Sequence, residues 1–203
     1  MVTAPVISVS RLRMQTDGPG ITALVCFHGC PLRCKWCINP FSFDPATRRT
    51  VMTPQALYQI TRQDALYYLS TGGGVTFGGG EPLLHPAFLQ AFRDLCGEQW
   101  HLCVETSLNV PWENVSQTAQ CIDAFYVDCK DTNPQIYERY TGKRNEPMLE
   151  NLQRLLELVG AERIILRLPL IPEFNTEEDR QRSLDLLRQL GFTRFDLFSY
   201  KLP

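Results

Sequence analysis

Several things are scarce or missing in this chain of 203 residues. Neither charge is in excess: 20 Lys and Arg stand against 22 Asp and Glu, for a formal net charge of −2. No basic run is longer than the pairs Arg48-Arg49 and Lys143-Arg144, so nucleic acid is not expected as a partner. No long apolar run occurs. Stretches such as Ala23–Phe27 fall far short of a bilayer's thickness, and no membrane association is expected. The start, Met1-Val-Thr-Ala-Pro-Val-Ile-Ser-Val-Ser, has neither the basic residues nor the apolar core of a signal peptide. Repeats and low-complexity segments are absent as well. A cytoplasmic protein is the expectation. At 44% apolar residues the chain is too hydrophobic, and too balanced in charge, to be disordered. Its length suits one domain, residues 1–203, with a substantial core.

Eight cysteines are present, an even number that invites pairing. In the cytoplasm disulfides are rare, so these cysteines are to be explained as core residues, metal ligands or redox groups.

Short apolar runs alternate with longer amphipathic ones. Thr22–His28, Val75–Phe77, His101–Thr106, Ala124–Asp128, Ile164–Leu168 and Phe195–Ser199 read as strands. Several are apolar without alternation, as strands buried on both faces tend to be. Helices are expected over Pro54–Ser70, with Thr53 as N-cap, and over Pro86–Cys96, Pro147–Val159 and Glu177–Leu190, from apolar spacing near 3.6 and their start signals. A crossover between successive strands implies parallel pairing with right-handed connections. The expected fold is α/β, an open (β/α)6 partial barrel, with any ligand beyond the carboxyl ends of the strands.

Just after the first of these strands comes Cys30-Pro-Leu-Arg-Cys34-Lys-Trp-Cys37, a polar loop with three thiols. Thiolates are soft ligands suited to zinc or to iron–sulfur clusters. A structural zinc site wants four ligands, usually as two pairs. No second pair exists; Cys26 and His28 are the nearby candidates for a fourth ligand, and Cys96, Cys103, Cys121 and Cys129 are isolated and read as small core residues. Three thiolates on a four-iron cluster would leave one iron free to bind a small molecule.

The segment Gly72-Gly-Gly-Val-Thr-Phe-Gly-Gly-Gly-Glu-Pro82 covers the second strand and its exit. It lacks the Gly-Lys-Ser/Thr of a phosphate loop, and Glu81 would repel phosphate. A carboxylate beside exposed carbonyls suits an ammonium group; a tight turn with a surface Glu is the plain alternative.

C-x3-C-x2-C with an aromatic residue before the last Cys resembles the signature of the radical S-adenosylmethionine (SAM) superfamily. Asp17-Gly-Pro-Gly-Ile21, Gly29–Pro40 and Gly72–Leu84 are similar, more narrowly, to the glycyl-radical-enzyme activating enzymes, with similarity in blocks from about Asp17 to Tyr200. The resemblance implies one 4Fe–4S cluster held by Cys30, Cys34 and Cys37, with SAM chelated to the free iron. It implies SAM contacts at Trp36, at Gly78, Gly79, Gly80 and Glu81, at Glu105 and Thr106, and at Asp128, Lys130, Arg167 and Lys201. A monovalent cation near Glu105 and Asp128 is implied too. The partners it implies are a glycyl radical enzyme, whose backbone glycine loses a hydrogen, and a flavodoxin- or ferredoxin-like electron donor. Apart from the resemblance, Arg167 sits inside an apolar run and needs a partner, which a core carboxylate could be. Lys130 could form a surface pair with Asp131.

Ile38, Thr22, Gly78, Leu108 and Lys201 depart from the family's usual residues at their positions. No ferredoxin-like insert separates Cys37 from Thr53, so one cluster is expected. Family members usually continue beyond the sixth strand, where this sequence ends. Two other readings stay open: a radical SAM enzyme acting on a small molecule or peptide, like the carboxydeazaguanine synthases, and a non-catalytic iron–sulfur or zinc protein.

Overall fold

A computed structural model describes residues 1–200. Eight strands form one sheet: β1 (Ala4–Met14), β2 (Ile21–Phe27), β3 (Thr50–Met52), β4 (Gly74–Gly79), β5 (His101–Thr106), β6 (Ala124–Asp128), β7 (Ile164–Leu170) and β8 (Phe195–Ser199). The order across it is β3-β1-β2-β4-β5-β6-β7-β8. From β2 to β8 every neighbouring pair is parallel. These are the six strands expected from the apolar runs.

Beyond β2 the sheet continues in two strands that the apolar runs do not announce, and both pair antiparallel. In β1 the buried residues Ala4 and Val6 alternate with half-buried ones, and the strand runs out into exposed Arg11 and Leu12. It is a weakly apolar strand, flanked by short β3 over Ala4–Val6 only and stabilised by the β2 ladder rather than by its own hydrophobicity.

The helices are α1 (Pro54–Thr61), α2 (Ala65–Thr71), α3 (Pro86–Cys96), α4 (Trp112–Thr118), α5 (Pro134–Thr141), α6 (Glu146–Val159) and α7 (Glu177–Gln189). Thr53 caps α1 by accepting from the Ala56 N–H, and Thr176 with Asp179 forms a capping box on α7. The single helix expected over Pro54–Ser70 is broken by a 3-10 turn at Arg62–Asp64. The cause is Asp64, buried and held by the Arg11 guanidinium of β1 at 2.6 and 2.7 Å. The short helices α4 and α5 were not expected.

The two faces of the parallel strands differ. One packs Val104, Phe125, Val127 and Leu166 against helix residues such as Phe92, Leu152, Leu155 and Leu187. Each such side chain contributes roughly 1.5–3 kcal/mol on burial. The other face, inside the curved sheet, has only Cys103, Ala124 and Ile165, with Tyr126 beside them, as its apolar cluster. The rest of that face is polar, and there the chemistry collects.

Candidate functional site

The loop bearing the three cysteines leaves β2 and is fixed on both sides. Arg33 N–H donates to the Thr141 carbonyl at 2.8 Å and Lys35 N–H to the Tyr140 carbonyl at 3.1 Å. This hangs the stretch around Cys34 on the last turn of α5. Opposite it, Gly29 N–H donates to Ser42 O, Gly80 N–H to Phe27 O at 2.9 Å, and Glu81 N–H to Gly29 O at 2.7 Å. The glycine-rich exit of β4 is thereby tied to the start of the cysteine loop. The two motifs, more than forty residues apart, form one rim at the carboxyl ends of the strands.

Burial and neighbouring Glu81 push the Cys30 thiol up to about 12, and burial pushes Cys34 up to about 11 against the pull of Lys130. Unloaded, both are thiols. Cations bound there would deprotonate them and release protons. Among the described residues no three His, Cys, Asp or Glu side chains close around one ion-sized point. A closed zinc site requires that convergence. Thiolates that each take a separate iron of a four-iron cluster do not. The Trp36 indole N–H, next to Cys37 in the chain, is buried with no hydrogen-bond partner among the described residues. The donor set suits a 4Fe–4S cluster.

Glycine at 78 and 79 is a requirement of space. A Cβ on Gly78 would lie 2.7 Å from Glu105 Oε2. Gly79 has φ +82°, and a Cβ there would stand 2.6 Å from the Cys26 Cβ. Glu81 is no surface residue. It is 1% exposed and its two oxygens accept four hydrogen bonds: from Thr106 Oγ1 at 2.7 Å and Leu83 N at 3.2 Å, and from Ser107 Oγ at 2.7 Å and Ser107 N at 2.9 Å. Burial raises its pKa, while these donors favour the anion. Glu81 therefore braces the glycine loop against the end of β5. Ser107, which carries half of that bracing, had no signal in the sequence.

Deeper on the same face the charged residues form one array. Arg167 donates through Nη1 to Glu105 Oε1 and through Nε to Asp128 Oδ1, both at 2.6 Å. Lys130 Nζ donates to Asp128 Oδ2 at 3.0 Å and to the Tyr200 hydroxyl at 2.9 Å. Burial alone would raise Asp128, but Arg167 and Lys130 outweigh it and hold the carboxyl down at about 2. Glu105 is raised by burial in spite of Arg167. Arg167 thus has the carboxylate partner that its place in an apolar strand demands. Lys130 is buried and turns to Asp128, not to Asp131; Asp131 is itself buried and accepts instead from Asn133 N and Asn175 Nδ2.

The cation expected near Glu105 and Asp128 meets a different arrangement. Two acids and two bases sum to zero charge, and the Thr106 hydroxyl donates to Glu81. The guanidinium occupies the place between the carboxylates.

Lys201 lies outside the described residues. Cys103, Cys121 and Cys129 are buried as expected, whereas Cys96 is half-exposed at the end of α3. Leu108 is buried with φ +54°, a left-handed residue at a position where the resembling family often has glycine. Asp17 O accepts from Thr76 Oγ1 at 2.5 Å, so the Asp17-Gly-Pro-Gly turn closes the opposite end of the sheet's interior. Two cavities, of about 820 and 580 Å³, also lie toward that amino end. The larger is lined by Arg93 and Arg163, whose guanidinium groups are taken up by backbone carbonyls, so it is a structural crevice. No helix among the described residues is long and apolar enough to cross a membrane.

Comparison with known proteins agrees with this geometry. A family model described as the Radical SAM superfamily matches residues 24–196. The (2S)-3-sulfopropanediol dehydratase activating enzyme of Klebsiella oxytoca is 30% identical over 79% of this chain and 69% of its own. The pyruvate formate-lyase-activating enzyme of Clostridium pasteurianum is 30% identical over 91% of this chain and 76% of its own. Among solved structures, Streptococcus suis SuiB bound to S-adenosylmethionine aligns with a TM-score of 0.65 at 17% identity, over 89% of this chain and 42% of that one. QueE from Escherichia coli aligns with a TM-score of 0.53 at 14% identity, over 96% of this chain and 93% of that one. At such identities the likeness to both structures is one of fold.

Proposed function

Since the chain belongs to the radical SAM superfamily, among the glycyl-radical-enzyme activating enzymes, we propose that it installs a radical on a backbone glycine of a partner enzyme. When bound, a 4Fe–4S cluster would supply the electron for reductive cleavage of SAM, the chemistry by which a hydrogen atom would be removed from the partner's glycine Cα.

The observation that carries this reading is the shared rim. The cysteine loop and the glycine-rich loop are hydrogen-bonded to each other at the strand ends, directly above the Glu105–Arg167–Asp128–Lys130 array. Cys30, Cys34 and Cys37 would hold the cluster. The backbone of Gly78–Gly80, braced by Glu81 and Thr106, would receive the SAM ammonium. Lys130 and Arg167 offer positive charge to its carboxylate, with Glu105 and Asp128 orienting them. Trp36 would flank the adenine and offer its unpartnered N–H there. Lys201 is proposed as a further contact on the resemblance alone. The protein's contribution is binding, orientation and exclusion of water.

Residues 1–203 would act as one radical SAM core, in the cytoplasm, reduced by a flavodoxin- or ferredoxin-like donor. The test is anaerobic reconstitution, with iron and sulfide counting and a SAM-cleavage assay under strong reduction, on the natural protein and Cys34→Ala. A 4Fe–4S stoichiometry with reductive cleavage, both lost in C34A, is expected. Zinc in place of iron, or cleavage that survives in C34A, would overturn the proposal. Turnover of a small molecule in the absence of any protein partner would overturn the choice of substrate.

A further inference from the structure

The chain's charge is not spread evenly. Residues 29–49 hold Arg33, Lys35, Arg48 and Arg49 against Asp44 alone, and residues 138–146 hold Arg139, Lys143 and Arg144 against Glu138 and Glu146. The two stretches carry +3 and +1 in a chain of net charge −2, so the remainder carries −6. The fold brings the two together. Arg33 and Lys35 hang through their N–H groups on the carbonyls of Thr141 and Tyr140, at 2.8 and 3.1 Å. A Cβ on Gly142 would lie 3.9 Å from the Arg33 Cβ, and Lys143 follows directly. Arg33, Lys35 and Lys143 are exposed. None of them is paired with a carboxylate among the described residues.

Apolar surface stands beside this charge. Past Cys37 the chain turns back through a 3-10 turn at Pro40–Ser42. The Gly29 N–H donates to Ser42 O at 2.6 Å, and the Arg33 guanidinium lies 4.8 Å from the Phe43 ring centroid. On that return Ile38 and Phe41 are 81% and 58% exposed. Exposed apolar side chains rimmed by unpaired bases have the make-up of a docking surface. Cys30, Cys34 and Cys37 lie half-buried in the same loop, so this face is the wall between the cluster site and solvent. A protein docked here reaches the cluster without entering the strand-end interior, which the Glu105–Arg167–Asp128–Lys130 array lines.

We propose that this face docks the electron donor, and that the donor is a flavodoxin-type carrier. Such a carrier presents an apolar flavin edge among acidic side chains, complementary to Ile38 and Phe41 within Arg33, Lys35 and Lys143. One electron leaves the reduced flavin and enters the cluster, so the flavin is oxidised by one electron and the cluster reduced by one. The inference rests on the cluster assignment made above and goes beyond it in giving the donor a face and a charge.

The experiment measures flavodoxin binding by calorimetry, with and without the cluster, to the natural protein and two variants. Lys35→Glu with Lys143→Glu reverses the charge and touches no cluster ligand and no ion pair; Phe41→Ser leaves the charge alone. Binding to the natural protein is expected to weaken as salt rises from about 50 to 300 mM. The double variant K35E/K143E is expected to bind about tenfold more weakly at low salt and to lose that salt dependence. F41S is expected to bind about fivefold more weakly and to keep it. Stopped-flow reduction of the loaded K35E/K143E by reduced flavodoxin is expected to slow in parallel, with reduction by photoreduced deazaflavin unchanged. Affinity of K35E/K143E within about twofold of the natural protein would overturn the inference and leave the function intact. So would equal slowing with both reductants, reduction of the natural protein by a ferredoxin but not by flavodoxin, or a variant that keeps flavodoxin binding and loses radical transfer to the partner enzyme. A natural protein that takes up no cluster at all would sink both.

Discussion

Replacing Arg167 by Met tests the charged array that underlies the site. The guanidinium stands 2.6 Å from both Glu105 and Asp128, and the three side chains are only 18%, 20% and 25% exposed. Charges about 4 Å apart attract by about 4 kcal/mol at an effective dielectric near 20. Much of that is offset by the desolvation of the three ions, so the pairs themselves add little net stability. Removing the arginine alone is another matter, because two carboxylates then face each other with Lys130 as the one base bonded to them among the described residues. Breaking a buried pair in this way costs about 3–5 kcal/mol, and the residual exposure argues for the lower end, about 3 kcal/mol. The pH dependence has a defined sign. In the natural protein Asp128, held down at about 2, contributes stability that is complete above its unfolded value near 4 and is lost as the pH falls from about 4 toward 2. In R167M both carboxyls rise above their unfolded values. A raised carboxyl opposes folding most above its folded pKa, so the deficit of R167M is largest at about pH 8 and shrinks toward about pH 5. Urea unfolding of the metal-free protein under anaerobic conditions measures it. Adding Glu105→Gln to R167M is expected to recover about half the loss. A loss below about 1 kcal/mol, or a deficit that grows as the pH falls, would refute this account of the array.

Other substitutions probe the rim. Glu81→Gln turns an amide N–H₂ toward one of two donor pairs, and a backbone N–H of Ser107 or Leu83 loses its acceptor. Calorimetry is expected to show weaker SAM binding, and thermal melting a loss of about 1–3 kcal/mol. Gly78→Ala brings a Cβ within 2.7 Å of Glu105 Oε2 and displaces Glu105 from Arg167. Losing one charge-assisted hydrogen bond predicts about a tenfold to hundredfold loss of SAM affinity in equilibrium binding, and near-normal affinity would show that Glu105 adjusts without cost.

Strands β5, β6 and β8 could be read off the sequence to the residue, because each is a short run rich in β-branched, aromatic or other apolar residues. β1 could not be read in this way: half of it faces solvent, and its place is set by the β2 ladder. The short, polar helices α4 and α5 depend on what they pack against, which no local pattern reports. The cysteine triad was legible because its spacing is local. So was the need of Arg167 for a partner, since a guanidinium in an apolar strand cannot stand alone. Which partners it takes, Glu105 sixty-two residues away and Asp128 thirty-nine, follows only from the order of strands in the sheet. The same holds for Lys130, whose choice of Asp128 over Asp131 depends on which side of the strand end faces the interior. It also holds for Ser107, an ordinary serine until Glu81 is brought to it across the sheet.

The claim that this protein makes a radical for a second protein is tested most directly by following one hydrogen atom. The reduced, cluster-loaded protein is incubated with SAM and a glycyl radical enzyme in which glycine carries deuterium at Cα. The prediction is a glycyl-type electron paramagnetic resonance signal on the partner, with one deuterium in each 5′-deoxyadenosine and no more nucleoside than radical formed. Deuterium-free 5′-deoxyadenosine, or cleavage of SAM that continues without any radical appearing on the partner, would contradict it.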